Sequence, residues 1–271
     1  MRNYKFGISS ADEAPNNAPI PLKGGICEII KEAASLGYDA IEIHIRESDD
    51  IDYETVKKCC DEYNIKISAV VTGRLYTEGK CNLMDSIPYI NEAAIKGIKT
   101  YIDIASNLNT NIVIGWVKGN VPSGKNRVKY MNRLAKNLKI LSEYAVHMDV
   151  KLFIEVINRY EVNVFNTAKE TKEFLEKHNI QNCYIHLDTF HMNIDETDPV
   201  EAILTCEKKL GYIHFADNTR CYPGSGQIDF KRIIKALNDI GYNGYLTVEC
   251  LPSPDGKTAA AKALRYLKSL L

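Results

Sequence analysis

The amino-acid sequence predicts a single closed (β/α)8 TIM barrel, and three observations lead to that fold. Short β-rich runs alternate with longer amphipathic stretches from end to end, the pattern of repeated βα units around a parallel sheet. Eight such units fit into 271 residues, and no linker, low-complexity tract or composition shift divides them, so residues 1–271 read as one domain. The turn after Gly7-Ile8-Ser9 lacks GxGxxG, which removes the main reason to choose an open doubly wound sheet, the other architecture that this alternation allows.

The expected strands, in order, are residues 4–9, 40–45, 66–72, 111–115, 151–156, 183–187, 212–215 and 245–249. Runs such as Ile112-Val113-Ile114 suit strands buried on both faces. The expected helices cover residues 25–36, 53–63, 87–107, 125–148, 168–178, 199–208, 230–240 and 256–270. Apolar residues recur there at three and four positions. Val128, Met131, Leu134, Leu138, Leu141 and Ala145 form one such stripe, placed to pack on the barrel.

With 45% hydrophobic residues, 25% charged residues and a net charge of -1, the composition is that of a soluble globular protein. No basic excess points to nucleic acid, since phosphate contacts need Lys and Arg concentrated on one face. The sequence has neither a long apolar run nor a basic-then-apolar leader, so no membrane association and a cytoplasmic location are expected. Eight cysteines are scattered without a CxxC pair and read as reduced thiols. Barrels of this kind often associate through outer helices, so a homo-oligomer is an expectation with no contact face identified.

In such a barrel the active site lies at the C-terminal ends of the strands. The fifth strand ends on Glu155, the sixth on Asp188, the seventh reaches His214 and the eighth ends on Glu249. Any one of them could serve a strand-end salt bridge or a helix cap. Four at successive strand ends point to one shared site. Three carboxylates converging beside an imidazole would repel one another unless a cation stood between them. The ligand set is mostly hard, so one divalent metal ion is expected, Mn²⁺ first, with Mg²⁺, Co²⁺ and Zn²⁺ as alternatives. His191, in a loop leaving the sixth strand, is a candidate substrate donor, and Asn158, Glu161 and Arg220 are candidates to bond substrate hydroxyls.

The segments IEVINRYEVNVFNT (154–167), LDTFHMNIDE (187–196), HFADNTRCYPGSGQIDF (214–230) and VECLPSP (248–254) resemble the xylose-isomerase-like sugar phosphate isomerase/epimerase superfamily. Within it they are similar to the ketose 3-epimerase and 5-keto-L-gluconate epimerase branch, most strongly over the C-terminal half. The resemblance implies that Glu155, Asp188, His214 and Glu249 are the metal ligands. It also makes Glu155 and Glu249 the proton-transfer pair, and places Glu161, His191 and Arg220 at substrate contacts. The implied activity is an isomerase-class epimerisation of a small keto-sugar through an enediolate. Ketohexose 3-epimerases commonly carry Gly-Glu where this chain has Ala216-Asp217.

Three other readings stay open at this stage. Proton return to the neighbouring carbon would make the protein an aldose–ketose isomerase. An endonuclease-IV-like repair enzyme would share the barrel and the Glu, Asp and His of strands five to seven. Its further histidines are missing, because the third strand runs into Val71-Thr72-Gly73-Arg74 and the fourth into Gly115-Trp116. A carbohydrate sensor without turnover is the third. For the substrate, Trp116 is a candidate apolar wall, and Arg46 or Arg74 a candidate partner for a carboxylate, which tilts the expectation toward a keto-sugar acid such as 5-keto-gluconate.

Overall fold

In the computed structural model, which describes residues 4–45 and 51–271, eight parallel strands close into a barrel. The strands are β1 (Lys5–Ala11), β2 (Leu22–Lys23), β3 (Ala40–His44), β4 (Lys66–Val71), β5 (Ile112–Ile114), β6 (Leu152–Glu155), β7 (Cys183–Asp188), β8 (Leu210–Phe215) and β9 (Tyr245–Val248). Strand β1 pairs with β9 to complete the ring, and two-residue β2 adds to the end of β1. The helices are α1 (Ile26–Leu36), α2 (Tyr53–Tyr63), α3 (Gly73–Thr77), α4 (Pro88–Asn107), α5 (Arg127–His147), α6 (Ala168–Lys177), α7 (Thr189–Asp195), α8 (Pro199–Cys206), α9 (Phe230–Asp239) and α10 (Gly256–Ser269). None of the described helices is long and apolar enough to cross a membrane.

Strand alternation sorts the buried residues into two cores. Ile112 and Ile114 face outward into the layer between strands and helices, while Val113 joins Ala69, Val71, Phe153 and Tyr212 in a second cluster. Phe153 stacks on Tyr212 with ring centroids 5.3 Å apart. The Tyr212 hydroxyl is hydrogen-bonded to Ser68 Oγ at 2.7 Å and to Thr247 Oγ1 at 2.8 Å. Each fully buried large apolar side chain contributes about 1.5–3 kcal/mol. These rings therefore fill the barrel and form a floor. Two residues further along, in the same alternation, stand Glu155, His214 and Glu249.

Helix starts are set locally. Asp52, Asn126, Thr167, Asp198, Asp229 and Asp255 each accept a hydrogen bond from a backbone N–H of the following turn, worth about 1 kcal/mol apiece. Asp188 does the same for α7. His191 therefore stands on a short helix rather than in a loop. At seven residues, α7 is too short to show a full apolar period in sequence, and the same holds for α3, the 3-10 turn Trp116–Lys118 and β2.

The cysteine expectation needs correction. Cys27 of α1 and Cys59 of α2 form a disulfide, with Cα atoms 5.9 Å apart, and the other six are free. The two helices are neighbours one βα unit apart, so a pair can form with no CxxC spacing.

Candidate active site

The strand ends of β6 to β9 bring Glu155, Asp188, His214 and Glu249 together. Register places Glu155 opposite His186 and Asp188 opposite His214. All four side chains are buried. Asp188 uses Oδ1 to cap α7 through the Phe190 N–H at 2.7 Å, and its Oδ2 is buried with no hydrogen-bond partner. The Nδ1 atom of His214 is also unpartnered, lying 3.9 Å from Asp188 Oδ2 and 3.5 Å from Glu249 Oε2. Ligand atoms of Asp188, His214 and Glu249 lie within 4.8 Å of one another, as do those of Glu155, Asp188 and His191. Two orphaned donors, mostly oxygen ligands and one imidazole fit a hard divalent cation.

The charges on the cluster are unequal. Burial first, and the neighbouring Glu249 second, push the Glu155 carboxyl up to about 8. Burial likewise raises Asp188 to about 6, against the pull of Arg220. Burial would raise Glu249 too, yet His214 and Arg220 together hold it well below the usual carboxylate range. Without a metal ion, Glu155 thus keeps its proton near neutral pH while Glu249 is ionised. A bare backbone makes room for Glu155: a Cβ on Gly115 would collide with its Oε2.

Around this cluster the other expected residues assemble. Glu161 accepts from Trp116 Nε1 at 3.1 Å, Asn158 Nδ2 at 2.9 Å and Arg220 Nη1 at 3.4 Å. Arg220 also donates from Nη2 to Glu249 Oε2 at 2.8 Å. Asn158 Nδ2 lies 2.7 Å from His191 Nδ1. With Nδ1 as the acceptor, the proton is on Nε2, which stands 3.9 Å from Glu155 Oε1. Trp116, Glu155, Glu161, His191, Arg220 and Glu249 line a cavity of about 910 Å³, within the range of small-molecule sites.

Arg74 also lines the cavity, but its guanidinium is engaged by Asp12 Oδ1 at 2.6 Å and by the Glu13 carbonyl. Arg46 lies outside the described residues. The departure at Ala216-Asp217 has a structural use. Asp217 accepts from the backbone N–H groups of Asn218, Gly224, Gly226 and Ile228 at 2.8–3.1 Å, pinning the loop that carries Arg220.

The sequence reading missed Glu42 and His44. Both stand on β3, where Glu42 Oε2 meets His214 Nε2 at 2.7 Å and His44 Nε2 lies 4.0 Å from Glu249 Oε1. The same strand-end rule could have found them, but the run was read to its last apolar residue, Ile45. Buried His186 and Lys118 were missed as well. Burial depresses both, Lys118 to about 8 although Glu155 pulls it upward.

Comparison with known proteins gives a consistent picture. The model of the xylose isomerase-like TIM barrel family matches residues 30–270. An L-ribulose 3-epimerase of Methylomonas sp. (strain DH-1) is 32% identical over 265 residues, covering 90% of this chain and 91% of that protein. A D-psicose 3-epimerase of Enterocloster bolteae is 30% identical over 224 residues, covering 80% of this chain and 74% of that one. The crystal structure of a D-allulose 3-epimerase from Methylomonas sp. in complex with D-allulose superposes with a TM-score of 0.82 at 25% identity, covering 99% of this chain and 98% of that one.

Proposed function

This chain belongs to the xylose isomerase-like TIM barrel family, and on that premise we propose that it is a divalent-metal-dependent epimerase acting at carbon 3 of a neutral keto-sugar. The relatives named above are sugar epimerases, enzymes of the isomerase class, and so is this chain. The observation that carries the finer reading is the convergence of Glu155, Asp188, His214 and Glu249, with two orphaned donor atoms among them.

Glu155, Asp188, His214 and Glu249 would hold the ion. The chemistry a divalent cation supplies there is Lewis-acid polarisation of a carbonyl oxygen, which lowers the cost of an enediolate. The chain's own residues do the rest. One of the pair Glu155 and Glu249 takes the proton beside the carbonyl, and the other delivers one from the opposite face, which inverts the carbon. In the reverse direction the roles exchange. Positioned acid–base groups of this kind contribute about 10²–10⁴-fold. His191 Nε2–H and the Glu161–Trp116–Arg220 network orient hydroxyls, and Trp116 with Ile157 walls the cavity.

Substrate charge follows from the lining. With Glu155 and Glu249 given to the cation, Glu13, Glu78 and Glu161 remain beside Arg74 and Arg220 among the described residues around the cavity. Both arginines are paired with carboxylates at 2.6–2.8 Å. Such a lining favours a neutral ketose over a keto-sugar acid, and it is the opposite of a phosphate-binding groove.

The test is interconversion of a ketose panel (L-ribulose, D-psicose, D-tagatose and D-fructose) beside 5-keto-gluconate, with Mn²⁺ and after chelation. The expected result is turnover of a neutral ketose that chelation abolishes and Mn²⁺ restores. Aldose products, or turnover of the acid alone, would overturn the assignment.

A further inference from the structure

We propose that Glu42 is a positioning residue that turns His214 so that Nδ1, rather than Nε2, faces the cation, an inference that rests on the metal-dependent reading above. Glu42 belongs to β3, and 172 residues separate it from His214 on β8. The two side chains meet inside the barrel, Glu42 fully buried and His214 1% exposed. Burying a carboxylate is costly unless it is paired and hydrogen-bonded, and Glu42 spends its Oε2 on one contact, His214 Nε2 at 2.7 Å.

That contact decides which nitrogen is free. A carboxylate can only accept, so Nε2 carries the proton it donates, and when a cation displaces the proton of the imidazolium it is Nδ1 that offers the lone pair. Nδ1 is the atom without a hydrogen-bond partner, 3.5 Å from Glu249 Oε2 and 3.9 Å from Asp188 Oδ2. A ligating histidine held through its second nitrogen by a carboxylate keeps both tautomer and ring direction.

The other oxygen of Glu42, Oε1, makes no hydrogen bond. It lies 3.5 Å from His44 Nε2, and Ser9 Oγ holds that nitrogen at 3.0 Å. The His186 ring packs edge-on against His214 with centroids 4.2 Å apart, restricting rotation of the imidazole from the floor side.

The test is titration of the metal-free protein with Co²⁺, followed by calorimetry and by the visible spectrum of the bound ion. The parent is compared with Glu42→Leu, Glu42→Asp and Glu42→Gln. One ion per chain is expected in all four. Glu42→Leu should bind about 10–100-fold more weakly, the usual consequence of losing such a partner. Glu42→Gln keeps an acceptor at the same reach and should recover most of the affinity. Glu42→Asp keeps the charge but withdraws the oxygen by one methylene, and should fall near Glu42→Leu. Thermal unfolding of the metal-free proteins identifies any variant that has lost its fold. If Glu42→Leu is one, the Asp and Gln pair makes the same comparison.

A folded Leu or Asp variant that binds Co²⁺ as tightly as the parent overturns the inference alone. So does a parent that takes two ions where the Glu42 variants take one, since Glu42 would then be a ligand. A parent that takes up no ion overturns the metal-dependent reading and this inference with it.

Discussion

Strands β6 to β9 carry Glu155, Asp188, His214 and Glu249 at or beside their C-terminal ends, close to one another, whereas β1, β3 and the residue after β5 bring groups that press on that cluster from the side. Ser9 holds His44, His44 and Glu42 reach Glu249 and His214, and Gly115 contributes the absence of a side chain beside Glu155. On the proposed function, one half of the barrel supplies the reacting groups. The other half sets their distance and direction. The halves should therefore fail differently under mutation, the first losing chemistry and the second losing geometry.

The largest effect is expected in the reacting half. Glu155→Gln and Glu249→Gln should each lower kcat by about 10²–10⁴-fold, as removal of a positioned acid or base does. Steady-state assay of the folded variants checks this. A loss confined to KM would move these residues out of the chemistry.

In the supporting half, Gly115→Ala adds a methyl group where Glu155 Oε2 lies. The carboxylate must shift, and a misplacement on the order of 1 Å costs about 10²-fold in rate. The far-ultraviolet circular dichroism spectrum should be unchanged. Equal activity in this variant would break the claim that β5 sets the Glu155 position.

A smaller effect concerns pH. Glu155 is raised by burial, and then by Glu249, from 4.5 to about 8. A raised carboxyl contributes stability that is fully present below its unfolded value and is lost as pH rises toward the folded one. The metal-free protein should accordingly lose thermal stability between about pH 5 and pH 8. An ion that binds the ionised carboxylates should restore more of it at pH 8 than at pH 5. Unfolding temperatures with and without Mg²⁺ give the measurement. A metal-induced rise that does not grow with pH would count against Glu155 as a ligand.

The smallest effect is expected at Arg74, whose charge is already matched by Asp12. Arg74→Ala should change kcat/KM for neutral ketoses less than about fivefold, since a pair of this kind contributes on the order of 1 kcal/mol or less. A large loss confined to acidic substrates would revive the keto-sugar acid assignment.

The same division explains what the sequence made legible. Glu155, Asp188 and Glu249 close apolar strand runs, so their place at one rim could be read from the pattern, and His214 follows Tyr212-Ile213 in the same way. The long helices announced themselves through periodicity. Glu42 and His44 carry the same signal, but Ile45 extends the apolar run beyond them and disguises the strand end. Gly115 could be read as a turn residue, while its contact with Glu155 depends on a neighbouring strand that only folding supplies. Arg74 looked free in sequence because its partner Asp12 lies 62 residues away. The Cys27–Cys59 pair was hidden for a similar reason, being set by helix adjacency.

Proton exchange into deuterated water is the most direct test of the central claim. The protein, loaded with diamagnetic Mg²⁺, is incubated with each ketose in D₂O and followed by nuclear magnetic resonance. The expected result is deuterium at carbon 3 of a neutral ketose and of its epimer, with wash-in abolished in Glu249→Gln. Failure of every ketose to exchange, in a protein shown to have bound the metal, would contradict the account.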